Sequence, residues 1–230
     1  MPGRVICAYG GTERAPRALR RAREYARALD ADLLAISVAV NEEEHDRQAK
    51  IFADLAVTDP DVATTLISYR EVAGVFQHPA TRGLLVIGNH GMQGIDRWTR
   101  NVSADIVARL PRTTLVVNTA IEPVPYEDAV VAVPTSPSEV LLTTAVTIAS
   151  ALLIRLTGVH VGTVAPALSD IPVRTAPGLP AEALLEVSRP ETLLVLGTRG
   201  LRGTAPGGVP GEVLARAAGD VLLVETTETS

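Results

Sequence analysis

The sequence contains 230 residues, of which 47% are hydrophobic and 20% are charged, and its formal net charge is -5 at pH 7. This composition is typical of a globular protein with one large core or two small ones. The negative charge argues against a general attraction to nucleic acid or to an anionic membrane surface. The single cysteine, Cys7, excludes an internal disulfide framework and a multi-cysteine metal site.

The chain shows no targeting or membrane-spanning segment. Met1 to Arg4 lead directly into a predicted strand without an apolar signal core. The most apolar stretch, Val140 to Ile154, is shorter than the roughly 20 residues that a transmembrane helix needs. We therefore expect a cytoplasmic protein in which this stretch is a buried helix. Cys7 lies in an apolar run and is predicted to be a small buried strand residue.

The first part of the chain alternates predicted strands and helices. A β-branched strand, "RVICA", is followed by a tight turn and a long helix, for which Thr12 and Glu13 give a weak start signal. A second strand "DLLAISVAV", a polar helix from Glu42 to Ala56 and a third strand "VATTLISYR" come next. The fourth strand "LLVIG" enters a glycine loop, and a helix "SADIVARL" and a last strand "TTLVVNTA" complete the series.

The second part repeats this order with fewer residues. Its first strand "AVVAV" precedes a helix with a clear start signal, in which Ser136 is the N-cap, Pro137 the first helical residue and Glu139 the third residue after the cap. The later elements read "GVHVGTV", "IPVRTA", "PAEALLEVS", "TLLVLG", "GEVLARAA" and "DVLLVETT". Two prolines in the linker from Glu122 to Pro125 forbid a continuous helix or central strand. We therefore predict two tandem doubly wound α/β domains, residues 1–122 and a shortened 126–230.

Both fourth strands end in the pattern G-x-x-G, formed by Gly88 and Gly91 in the first copy and by Gly197 and Gly200 in the second. A glycine directly after a strand permits a positive φ and lets a ligand approach the backbone. The N–H groups there, with the next helix N-terminus, can hold a phosphate. The alternative is that these glycines only make a tight turn, because short glycine motifs are weak signals.

The repeated series, with its fourth strand ending in G-x-x-G and its closing helix and strand, resembles the universal stress protein family. The strongest stretches are "LLVIGNHG" through "TLVV" and "LLVLGTRG" through "VLLV". The resemblance implies parallel five-stranded α/β domains related to the adenine-nucleotide α-hydrolases, dimerisation through the last strand, and a role in stress survival. Some members of the family bind ATP and others do not.

The chain departs from the nucleotide-binding pattern of that family. The family's acidic residue after the first strand is replaced by Gly10 in the first copy and by Pro134 in the second. The later Gly-[Ser/Thr] pair falls on Arg100–Asn101 or Asn101–Val102 in the first copy. The second copy has Gly207 and Gly208 there, without a hydroxyl. The nucleotide motif is therefore more degraded in the first copy than in the second.

Two classes of function remain open. The first is a non-catalytic stress-response binding or scaffold module with degenerate nucleotide sites and no cofactor. The second is an ATP-binding stress regulator, or a slow ATPase, whose phosphates would lie over Gly197, Gly200, Gly207 and Gly208. The absent acidic residue and Gly-[Ser/Thr] pair favour the first class. His45, His78 and His160 are too far apart in sequence for a metal-ligand motif, so no metal site is predicted.

The two last strands are predicted to pair with each other. Each is aliphatic and would end its own sheet, and an uncovered edge of that kind invites aggregation. Pairing them makes an internal pseudo-dimer, and the resemblance leaves a further homodimer open. The first helix carries six arginines spread around its surface, which predicts that they are solvated.

Overall fold

The computed structural model describes residues 3–39, 41–68, 83–89, 113–198 and 208–226. The elements up to the linker are β1 (Arg4–Ala8), α1 (Ala15–Ala28), β2 (Asp32–Ala39), α2 (Glu42–Thr58), β3 (Ala63–Ser68), β4 (Leu84–Gly88) and β5 (Thr114–Val117). Those after it are β6 (Asp128–Ala132), α3 (Glu139–Ala151), β7 (Arg155–Val161), β8 (Val173–Ala176), α4 (Pro180–Leu185), β9 (Thr192–Gly197), α5 (Val209–Arg216) and β10 (Val221–Val224). We call β1–β5 with their helices the first half and β6–β10 with theirs the second half.

The ten described strands form one continuous sheet in the order β3-β2-β1-β4-β5-β10-β9-β6-β7-β8. Read outward from its centre, the sheet has the same strand order in both halves. Neighbouring strands are parallel within each half, as alternating strands and helices predict. The mixed α/β architecture predicted from the sequence is confirmed, and the described elements follow the predicted order. The predicted helix "SADIVARL" at 103–110 lies outside the described residues.

The two halves meet at the pair β5–β10, which is the antiparallel junction of the sheet. Val116 lies opposite Val221, and Leu115 lies opposite Leu222. All four side chains are at most 3% exposed. The predicted pairing of the last strands is thus confirmed. Neither strand is left as an exposed edge, because the backbone N–H and C=O groups of β5 pair with those of β10.

A buried polar cluster lies beside this junction. The Arg21 side chain of α1 donates from Nε to Oδ2 of Asp220 at 2.8 Å and from Nη2 to the carbonyl oxygen of Val124 at 2.9 Å. Its guanidinium carbon lies 4.0 Å from the ring centre of Tyr126, whose hydroxyl donates to the same Asp220 carboxylate. Burial by itself would lower the pKa of Arg21, but the nearby Tyr126, Asp220 and Glu24 raise it above its usual value.

This cluster corrects the prediction that the α1 arginines are solvated. Arg21 is only 2% exposed because it points toward the linker and the second half. Arg17 also turns toward the linker, with its Nε 2.8 Å from the Glu122 carboxylate. The other four arginines remain at least partly exposed: Arg14, Arg20, Arg23 and Arg27.

The start of α3 differs from the prediction. The helix begins at Glu139 with Ser138 as N-cap, two residues later than predicted from Ser136. The backbone N–H of Leu142 donates to the carbonyl oxygen of Ser138, and that bond opens the helix. The residues before it stay non-helical, because Pro137 disfavours helical geometry at Ser136.

The expectation that Val140 to Ile154 is a buried helix is also wrong in part. One face of α3 packs into the core through Leu141, Ala145 and Ile148. The opposite face leaves Val140 56% exposed, and Leu153 just beyond the helix is 92% exposed. No helix in the described ranges is both long and apolar enough to cross a membrane.

Candidate functional site

Each half of the sheet contains a point where the connections change direction, between β1 and β4 in the first half and between β6 and β9 in the second. In open parallel sheets such points create a crevice outside the carboxyl ends of the strands, and ligands bind there. The two crevices differ in which side chains lie beside the turn after their first strand.

The crevice of the second half contains a cavity of about 450 Å³. This volume lies within the roughly 300–1,000 Å³ typical of small-molecule sites. Its walls come from the ends of β6, β7 and β9, the segment before α3, and the first turns of α4 and α5. The lining residues that the argument below uses are Val133, Val161, Leu184, Leu196, Val209 and His160.

Polar groups enter the cavity mainly from helix starts. Thr135, Ser136 and Ser138 belong to the segment that leads into α3, and the Ser138 side chain makes no capping hydrogen bond. The first turn of α5, whose N-cap is Gly208, contributes Val209 and Pro210 to the lining, and Pro210 has no N–H to donate. Helix N-termini present free N–H groups and a partial positive charge. Among the described lining residues there is no Asp, Glu, Lys or Arg.

His160, near the end of β7, is the one imidazole in the described lining. Its side chain is buried, and Nδ1 lies 2.8 Å from the carbonyl oxygen of Val133. A carbonyl oxygen can only accept, so Nδ1 carries the hydrogen of this bond. The sequence analysis considered His160 only as a metal ligand and did not predict that it lines the crevice. Its position near the end of a second strand is the signal that could have revealed it.

The predicted phosphate-loop glycines are only partly within the described residues. Gly88 ends β4 and Gly197 ends β9, as predicted. A Cβ at Gly197 would lie 3.0 Å from Cγ2 of Thr226, two residues beyond β10, so a side chain there would need the threonine to shift by a few tenths of an ångström. Gly208 has φ = 111°, a conformation that favours glycine. Gly91, Gly200 and Gly207, together with Arg100 to Val102, lie outside the described residues.

In the first half, side chains of α2 pack against the turn that follows β1. The Gln48 amide donates to the carbonyl oxygen of Gly10 at 3.1 Å. Gly11 has φ = 62°, and a Cβ there would lie 2.4 Å from Cδ1 of Ile51. Phe52 stacks on Tyr9 with ring centres 6.2 Å apart. Thus α2 covers the turn after β1, which is where the ATP-binding pattern has its acidic residue.

The second half has no counterpart of α2. Between β7 and β8 the described chain contains no helix, only the short segment 162–172. This shortening leaves the turn after β6, including Pro134, open to the cavity. The sequence showed the shortening, but its consequence for the crevice depends on side-chain packing between distant segments.

The described residues contain no group of three or more His, Cys, Asp or Glu side chains placed to hold a metal ion. Cys7 is fully buried on β1, as predicted, and burial raises its pKa to about 12. A thiol of that kind is not a ready nucleophile or metal ligand.

Comparisons with known proteins agree with this architecture. No protein-family model matches the sequence, and no curated protein matches it. In a search of solved structures, a universal stress protein from Archaeoglobus fulgidus superposes with a TM-score of 0.73 at 12% identity, covering 99% of this chain and 97% of the other. The fold is that of the universal stress proteins.

Two further structures extend this likeness. A candidate universal stress protein from Pseudomonas aeruginosa gives a TM-score of 0.64 at 14% identity, with 97% and 93% of the two chains covered. The cytoplasmic domain of a prokaryotic cation chloride cotransporter gives 0.56 at 9% identity, with 97% and 95% covered. The universal stress protein fold spans nearly the whole chain, but at these identities the likeness concerns the fold alone.

Proposed function

We propose that this chain is a tandem universal stress protein that works as a non-catalytic binding module in the cytoplasm, with one ligand site, in its second half. The observation that carries the proposal is the contrast between the crevices. Gln48 and Ile51 of α2 pack against the turn after β1 in the first one, whereas the matching turn after β6 lines a cavity of about 450 Å³ in the second.

The domain division belongs to the same proposal. We place one unit at residues 1–122 and the other at 126–230, because the strand order of the two halves is the same about the β5–β10 junction. Co-expression of the two fragments tests this division. We expect a 1:1 complex, since each fragment alone exposes one last strand. Fragments that fold neither alone nor together would contradict the division, whereas folded fragments that stay monomeric would contradict the pairing of the last strands.

The absence of catalysis is supported by the chemistry of the described lining. Activation of a hydroxyl nucleophile needs a base within hydrogen-bond reach that is itself oriented by a third group. The hydroxyls of Ser136 and Ser138 make no hydrogen bond to His160 within the described part of the chain, and no carboxylate lines the cavity there.

The second candidate is an ATP-binding regulator that uses the same cavity. The helix starts at Ser138 and Gly208 favour it, because their partial positive charge and free N–H groups suit a phosphate. In this case the phosphates would lie over Gly197, Gly200, Gly207 and Gly208. ATP binding is less favoured because Pro134 stands where the ATP-binding pattern has an acidic residue.

Analysis of gently purified full-length protein separates the two candidates. Intact-mass and absorbance measurements should show no co-purifying nucleotide, and calorimetric titration with Mg-ATP should show no micromolar site, that is, binding weaker than roughly -8 kcal/mol. A micromolar site that Gly200→Val abolishes would establish the ATP-binding alternative. A micromolar site that Gly11→Val abolishes would instead place binding in the first half.

A further inference from the structure

We propose that the cavity of the second half binds an uncharged small molecule with an apolar body and one O–H or N–H group, which donates a hydrogen bond to Nε2 of His160. This inference rests on the proposed function, which makes the cavity the ligand site, and adds the chemical class of the ligand.

The walls of the cavity favour an apolar body. Val133, Leu184 and Leu196 approach from β6, α4 and β9, and Val161 and Val209 complete the apolar surface. A charged group that entered this space would lose its hydration without meeting an opposite charge among the described lining side chains. The free N–H groups at the helix starts can still donate hydrogen bonds to an oxygen of an uncharged ligand.

His160 specifies the polar group. The side chain is 4% exposed, and its hydrogen bond to Val133 uses Nδ1. Nε2 has no hydrogen-bond partner among the described residues. Nε2 is not fully enclosed, so a ligand in the cavity that the imidazole lines can reach it. In the neutral ring with its proton on Nδ1, Nε2 is an acceptor, and the ligand therefore supplies the donor.

Gly162 keeps the Nε2 edge of the imidazole open. A Cβ at this position would lie 2.6 Å from Nε2. Gly162→Ala therefore displaces or covers Nε2 while it leaves the imidazole in the chain, and it also strains the backbone, because Gly162 has φ = 158°. Gly3→Ala and Gly178→Ala are the controls: no atom lies within 4 Å of a Cβ added at either glycine, and Gly178 shares a positive φ of 87°.

Three naphthalene probes test the proposal on the full chain at neutral pH. 2-Naphthol carries an O–H donor, 2-methoxynaphthalene lacks the donor, and 2-naphthoate carries a charge. Fluorescence titration should give a dissociation constant for 2-naphthol about tenfold lower than for either of the others, the effect expected of one buried hydrogen bond or of a desolvated charge. Mg-ATP should not compete.

Variants locate the site. His160→Phe should bind 2-naphthol and 2-methoxynaphthalene equally, and Gly162→Ala should do the same. Gly3→Ala and Gly178→Ala should keep the tenfold preference. Ser136→Trp adds bulk at an exposed lining position and should weaken all three probes. Urea unfolding shows whether each variant is folded. If His160→Phe does not fold, Gly162→Ala gives the same comparison.

The outcomes separate this inference from the proposed function. Equal binding of 2-naphthol and 2-methoxynaphthalene to the unmodified chain would overturn the role of His160. Tighter binding of 2-naphthoate, or competition by Mg-ATP, would overturn the ligand class and leave the cavity as the site. If no probe and no nucleotide saturates the protein, both the inference and the proposed binding function fail.

Discussion

Arg21 and Asp220 form a buried ion pair between residues 199 positions apart, with Nε and Oδ2 separated by 2.8 Å and the side chains only 2% and 6% exposed. The second oxygen of Asp220 accepts from the backbone N–H of Asn118, which follows β5. One carboxylate therefore joins α1, the end of β5 and the start of β10. We infer that it fixes how the two halves of the sheet meet.

Asp220→Asn should destabilise the protein by about 3–5 kcal/mol, because it leaves the buried Arg21 charge without its main partner. Urea unfolding of the full chain measures this loss. Arg23→Gln is the matched control on the same helix: it breaks the Arg23–Asp59 pair, whose side chains are 29% and 35% exposed, and should cost less than about 1 kcal/mol. Equal losses in the two variants would contradict the role of the buried pair.

Replacing both partners should be milder than replacing one. The double variant Arg21→Met with Asp220→Leu removes both charges, so no uncompensated ion stays buried. Its free energy of unfolding should therefore lie closer to that of the unmodified chain than the value for Asp220→Leu alone, which loses the same hydrogen bonds from Tyr126 and Asn118. A double variant that loses as much as the sum of both single variants would contradict this coupling.

The stability of the protein should fall in alkaline solution because one thiol and three phenol groups resist losing their protons in the folded state: Cys7, Tyr9, Tyr25 and Tyr126. Tyr25 and Tyr126 lie beside the Asp220 carboxylate. Burial, together with the Asp220 carboxylate, raises the pKa of Tyr25 and of Tyr126 above the usual tyrosine value. Below about pH 10 both tyrosines keep their protons in the folded and unfolded states. Above it the unfolded chain loses protons that the native chain retains, so the free energy of unfolding falls by about 1.4 kcal/mol per pH unit for each group.

Urea unfolding between about pH 9 and pH 11 measures this slope around the normal tyrosine pKa. Tyr25→Phe should make the slope shallower, because one of the contributing groups is gone. The absorbance of tyrosinate offers an independent check. If Tyr25 ionised in the native protein at the usual tyrosine pKa, Tyr25→Phe would leave the slope unchanged and the prediction would be wrong.

Val116→Pro should destabilise the full chain by about 3 kcal/mol or more, on the scale for a misplaced proline. Val116 is paired with Val221 of β10 on one side and with Ile87 of β4 on the other. Hydrogen exchange tests the same junction without a mutation. The amides of residues 115–117 and 222–224 should be among the slowest, and those of the outer strand β8 should exchange faster. Slower exchange in β8 than at the junction would contradict the central position of this pair.

Cys7 should be inert toward alkylation in the native state. Only the thiolate reacts, and burial raises the thiol pKa to about 12. Iodoacetamide at mildly alkaline pH should therefore label the urea-unfolded chain rapidly and the native chain only as fast as it opens. Native labelling at the unfolded rate would show that β1 is accessible.

The sequence alone determined much of the fold because the relevant signals are local. The apolar strands, the turns and the repeated G-x-x-G after Gly88 and Gly197 predicted two similar series of elements and the pairing of β5 with β10. Hydrophobic periodicity and β-branched runs report directly on burial in a parallel sheet. The start of α3 was missed by two residues, since a capping signal does not show which of two serines ends the preceding loop.

The state of each crevice was decided only by the tertiary structure. Gln48 and Ile51 reach the turn at Gly10 and Gly11, more than thirty positions away, and no local pattern shows that contact. Arg21 had been predicted to be solvated, but Asp220 and Val124 bury it at the junction. The orientation of the His160 ring depends on its hydrogen bond to the carbonyl oxygen of Val133, a residue distant in the sequence. Local sequence fixes which segments become strands and helices, whereas a cavity or a buried charge depends on which distant side chains meet.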